Sequence, residues 1–138
     1  MDNSLKKLIL KLSKSEKEYF SIFTKCYKSS SEKTNYLSLY EHILKNGDIN
    51  ISILKNEFKD KSFIKHLSSE KEKLFEKILL SLVNYNFEKS YFWKMLKYML
   101  FITVLIDKEQ FEKAKKYLNR IKKYAYQYEE FTVILIII

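Results

Sequence analysis

Three side chains have the chemistry to attack a substrate, bind a soft metal or relay a proton: Cys26, His42 and His66, the one cysteine and two histidines of the chain. A zinc site draws such residues together at set spacings, and neither Cys-x-x-Cys nor His-x-x-x-His occurs. Cys26 falls on the apolar face expected for its helix, where a thiol packs as a small hydrophobe. His42, beside Glu41, and His66, between Lys65 and Leu67, are expected to be ordinary, partly exposed histidines. The acidic pairs Glu16/Glu18, Glu70/Glu72 and Glu129/Glu130 have the right groups for acid–base work. Each lies near a helix start, where the helix dipole favours a carboxylate, so capping is their expected role. With one glycine, the chain has no phosphate-cradling glycine loop. No catalytic residue, metal or cofactor is expected, and the chain is not read as an enzyme.

The remaining chemical pattern is a basic stripe. Lys113, Lys116, Arg120 and Lys123 recur with spacings of three, four and three, which places them on one helical face. Lys115 and Lys122 widen the stripe, and Tyr117 and Tyr124 flank it. Such a face can neutralise phosphates, but a solvated lysine face is the commoner outcome on a soluble helix. The net charge of +9 has a compositional source as well. Phe, Tyr, Met, Ile, Asn and Lys, with A/T-rich codons, make up over half of the chain, while Gly, Ala, Arg and Pro supply four residues. Arg120 is the single arginine, and arginine is the residue that bidentate phosphate recognition favours. The stripe is therefore expected to be a solvated surface, with nucleic-acid contact by Lys113, Lys116, Arg120 and Lys123 as the second reading.

The elements that position these residues are helices. There is no proline, and 138 residues with a single Gly47 do not supply the turns of a β-sandwich or barrel. The clearest periodicity is Phe111, Ala114, Leu118, Ile121, Ala125 and Tyr128, all on one face. Before it, residues 91–106 are apolar on nearly every side apart from Lys94 and Lys97, so this helix is expected to be covered on more than one flank. The short polar link 107–110 implies that the two helices run antiparallel, as in the hairpins from which repeat proteins are stacked.

Taken in order, Leu5, Leu8, Ile9 and Leu12 form the face of a first helix. Ser13 and Glu16 have the spacing of a capping box for a second, whose expected face is Tyr19, Ile22, Phe23, Cys26 and Tyr27. A third helix, near 33–46, presents Tyr36, Leu37, Tyr40, Ile43 and Leu44, with Gly47 as its left-handed cap. Asp48 or Asn50 caps a short fourth helix bearing Ile51, Leu54 and Phe58. Ser62 opens a turn with Phe63, Ile64 and Leu67, and Ser68 or Ser69 caps a long helix with Leu74, Phe75, Ile78, Leu79, Leu82 and Val83 inward. The joint falls at 84–90, dividing an N-terminal helical region, 1–88, from a hairpin region, 89–138.

The run Leu12-Ser13-Lys14-Ser15-Glu16-Lys17-Glu18-Tyr19-Phe20 resembles the opening motif of a family of long, uncharacterised bacterial helical proteins. The Asn35-Tyr36-Leu37 helix, the Phe63-Ile64-Lys65-His66-Leu67-Ser68 junction and the helix over 74–83 follow in similar order. Glu18 stands where that family has a basic residue. The resemblance implies the start of a tetratricopeptide-like array. Residues 91–125 then form a degenerate repeat, with Ala114, Leu118 and Ile121 at the packing positions of its second helix and Ile102 where a small residue is expected. No ligand-binding residue carries over.

The tail 131–138 has no polar face and is expected to begin the next, incomplete repeat, in a chain truncated or forming the front of a longer protein. Self-association through it is an expectation. A lone cysteine, no secretory leader and no bilayer-length apolar run point to the cytoplasm. The function expected is protein–protein interaction or scaffolding through stacked hairpins. Nucleic-acid association is second, and a truncated fragment with no independent function is third.

Overall fold

The computed structural model describes residues 3–26, 35–58 and 61–129. Over these the chain is all-α: α1 (Ser4–Lys11), α2 (Lys14–Cys26), α3 (Asn35–Asn46), α4 (Ile51–Glu57), α5 (Lys61–Lys65), α6 (Leu67–Asn86), α7 (Tyr91–Asp107) and α8 (Phe111–Gln127). The contacts divide the chain into two units, Met1–Leu82 and Val83–Ile138. The tail 131–138 and Glu130 lie outside the described residues, as does Tyr27.

In the first unit, local chemistry sets the helix starts. The Ser13 N–H donates to Glu16 Oε2 at 2.7 Å, and the Glu16 N–H donates to Ser13 Oγ at 3.2 Å, completing the capping box. Asn50 is the N-cap of α4, its Oδ1 accepting from the Ser52 and Ile53 amides. Gly47 follows α3 at φ +71°, a backbone conformation that other residues adopt at a cost. α6 begins earlier than expected, at Leu67, and the His66 carbonyl accepts from the Glu70 N–H. Ser68 and Ser69 thus lie inside its first turn and do not cap it.

The core of this unit is Ile9, Leu39, Ile43, Leu54, Leu74 and Ile78, all fully buried, with Phe20 and Phe63. Leu39 was absent from the expected face of α3, and Leu44 and Leu79, expected inward, are exposed. The face of α2 also differs. Phe20, Phe23 and Thr24 are buried, while Ile22 and Cys26 face solvent. The helix offers two stripes with the same three-and-four spacing, and the one that delivers Phe20 edge-on to Tyr40 at 4.8 Å is the one that packs. Lys6 closes the surface by donating to Asp48 at 2.7 Å; with the Ile49 N–H, it holds the Asp48 carboxyl below the ordinary range.

In the second unit α7 and α8 pack on each other through Met95, Ile121 and Ala125, with Phe92, Tyr98, Met99, Ile102 and Tyr124 around them. Ala114 is buried as well. The ends of the expected α8 stripe are not: Phe111 is 60% exposed and Tyr128 38%. α7 ends in a Schellman motif, with the Glu109 N–H donating to the Ile106 carbonyl and the Gln110 N–H to the Leu105 carbonyl. Glu109, at φ 57°, occupies the position that glycine normally takes. In this glycine-poor chain a glutamate carries that left-handed strain.

Two stability changes follow. Ala114→Phe overpacks α8 and lowers stability by about 1–3 kcal/mol in urea unfolding. Glu109→Gly relieves the left-handed backbone and raises stability by about 1 kcal/mol in the same measurement. Parent-like urea midpoints for both would contradict this packing and this cap.

Candidate interaction surface

The candidate nucleophile and metal ligands are kept apart. Cys26 is exposed at the end of α2, its Sγ donating to the Ile22 carbonyl at 3.7 Å. His66 is exposed between α5 and α6. His42 is buried, against the expectation of partial exposure, at 3% relative accessibility. The Asn50 N–H can only donate, so at 3.2 Å from Nε2 it fixes that nitrogen as the acceptor. Nδ1 then carries the proton and donates to Glu57 Oε2 at 3.0 Å. The His42 imidazole on α3 thereby holds both ends of α4. The sequence signal was present in Asn50 and Glu57, but their reach to position 42 depends on the turn at Gly47. Among the described residues no group of three His, Cys, Asp or Glu is placed to hold a metal ion.

The acidic pairs divide in the same way. Glu16 caps α2. Glu70 is in the first turn of α6 but is buried, with Lys73 donating to it at 3.0 Å. Glu129 follows α8 at φ 52°. In the first unit a cavity of about 360 Å³ lies between α2 and α3, above Phe20 and Leu37, with Lys17, Glu18 and Glu41 at its rim. Tyr40 also lines it; its hydroxyl is buried without a partner among the described residues, and burial pushes the phenol pKa up.

Two surfaces of the second unit stand out. The first is apolar. Residues 98–106 carry no charge, and Leu100 (55%), Phe101 (41%), Val104 (58%) and Ile106 (49%) are exposed. The expectation that α7 is covered on more than one flank fits only its first half: residues 92–99 are buried or partly buried, whereas Leu100, Phe101, Thr103, Val104 and Ile106 are exposed. α8 covers one side of α7, and the ridge at Leu100 and Val104, four residues apart, is left open.

The second surface is aromatic and cationic. Tyr91 stacks on Tyr128 at 3.7 Å and lies 6.0 Å from Tyr124. Tyr98, Phe101 and Tyr117 form a second group, with centroids 5.3–6.1 Å apart. Tyr91 and Tyr98, like Tyr117 and Tyr124, are seven residues apart, so both groups lie on one flank. The Arg120 guanidinium sits 5.4 Å from the Tyr117 ring, and Lys97 lies near Tyr98 and Phe101. The stripe residues Lys113, Lys116, Arg120 and Lys123 are all exposed. No described carboxylate forms an ion pair with them, whereas Glu88 pairs with both Lys94 and Lys97. Hydrogen bonding with Tyr91 raises the Tyr128 phenol above its ordinary pKa. The sequence shows Tyr117 and Tyr124 beside the stripe; which rings of α7 meet them depends on the register between helices.

No family model, curated protein or solved structure matches the chain. No helix among the described residues is long and apolar enough to cross a membrane.

Replacing His42 with Ala empties a buried position and removes the acceptor of the part-buried Asn50 N–H, and is expected to cost about 1–2 kcal/mol. Urea unfolding measures the loss, and amide exchange at Asn50 should quicken. An unchanged Asn50 exchange rate would show that the imidazole does not hold this turn.

Proposed function

We propose that the chain is a binding module of the helical-repeat kind, acting by protein–protein interaction and not as an enzyme. In this reading α7 and α8 form an antiparallel hairpin, and the open ridge of α7 receives an amphipathic helix of a partner protein. The observation that carries it is the exposure of Leu100, Phe101, Val104 and Ile106 in an uncharged stretch two turns long. Leu100 and Val104 form an i, i+4 ridge, the shape that enters the groove of a facing helix. The net charge of the unit favours an acidic partner: residues 83–129 hold ten Lys or Arg against five Asp or Glu. The partner helix is therefore apolar along one stripe and acidic beside it. The resemblance to repeat-forming helical proteins supports the same reading from the sequence side.

The test titrates a labelled peptide helix, with leucines at i, i+3, i+4 and i+7 and glutamates alongside, onto the full chain. The parent should bind it, and Leu100→Ser/Val104→Ser should weaken binding about ten-fold or more, since each removed anchor is worth on the order of 1 kcal/mol. The melting temperature should hold, because both positions are exposed. Binding unchanged by the double substitution would refute the reading. So would micromolar self-association that the same substitutions abolish, which would make a second copy the occupant.

A further inference from the structure

We propose that the aromatic flank of the second unit binds single-stranded nucleic acid, its bases stacking on the tyrosine and Phe101 rings and its phosphates held by Arg120 and the adjacent lysines. The flank joins the two features that such binding combines, sequence-tolerant ring faces and a track of positive charge. Tyr91, Tyr124 and Tyr128 form one stacking platform, and Tyr98, Phe101 and Tyr117 form another. Seven residues of helix separate them, about 10 Å, which matches the span of two or three nucleotides. At the first platform a cavity of about 590 Å³ is bounded by Glu88, Lys89, Ser90, Tyr91, Lys94 and Tyr128, room for a nucleobase with its sugar.

The cations are placed to match. The chain's one arginine lies against a ring of this flank, where guanidinium and base can stack on the same tyrosine. Lys113, Lys116 and Lys123 continue the track with no described carboxylate paired to them. Glu88, at the wall of that cavity, holds Lys94 and Lys97. It therefore competes with an incoming phosphate. Single strands fit better than duplex, because a duplex hides the base faces that the rings would cover. An acidic peptide would satisfy the lysines but leave the ring platforms unused.

The experiment measures fluorescence anisotropy of labelled twelve-nucleotide oligo-dT and oligo-U on the full chain. With four phosphates neutralised, at a log–log slope near −0.7 each, raising salt from 50 to 200 mM should weaken binding about fifty-fold. Changing Lys113, Lys116, Arg120 and Lys123 to Gln should remove most of that salt dependence. Tyr117→Leu/Tyr124→Leu should weaken binding about ten-fold or more with the salt slope kept, and Tyr117→Phe/Tyr124→Phe should restore it, because stacking needs the ring and not the hydroxyl. Glu88→Gln should tighten binding several-fold by freeing Lys94 and Lys97. Circular dichroism melts show whether each variant folds. The proposal falls if folded Leu and Phe variants bind alike, if duplex DNA binds as well as oligo-dT, or if Lys6, Lys7, Lys11 and Lys14 changed to Gln have the same effect as the four stripe changes.

Discussion

The contact between α7 and α8 is the constraint on which both surfaces of the second unit depend. Ala114 and Ala125 present almost no side chain, so α8 can lie close to α7 while Met95 and Ile121 fill the space between. Larger residues at those two positions would hold the helices apart. That register decides which residues of α7 meet α8. Tyr91 and Tyr98 fall opposite Tyr124 and Tyr117, making the paired rings of the flank. Leu100 and Val104 fall away from α8 and stay in water. A rotation of α7 by one residue, about 100°, would break the ring pairs and bury part of the ridge. One helix pairing thus sets an aromatic face and an apolar one at once.

The first unit rests on a different device. α4 is only seven residues long, too short to persist without tertiary support. Leu54 anchors it in the core, and the His42 imidazole accepts from one end and donates to the other. Asn50 serves twice, with its side chain capping α4 and its N–H bound to His42. Gly47 makes this possible by turning the chain back at a left-handed φ directly after α3.

Features governed by local sequence were legible. The Ser13–Glu16 box, the Gly47 turn, the cap of α4 as far as a choice between Asp48 and Asn50, and the α7 and α8 spans all follow from local residue spacing. Features governed by phase were not. On α2 the stripes through Phe20 and through Ile22 have equal periodicity, and only the partner Tyr40 chooses between them. His42 looked surface-bound because its partners lie 8 and 15 positions away, across a turn. The open ridge of α7 was misread because an all-round apolar helix implies cover without saying what supplies it. For the aromatic flank, half of the pattern lay in the spacing of Tyr117 and Tyr124, and the other half needed the register of α7 against α8.

That register is the central claim, and nuclear Overhauser contacts on the methyl- and ring-labelled chain test it most directly. The account predicts strong contacts between the Met95 and Ile121 methyl groups, together with contacts between the Tyr98 and Tyr117 rings and between Tyr91 and Tyr128. Contacts from Ile121 to Leu100 or Val104 in place of Met95, with the tyrosine pairs absent, would contradict it.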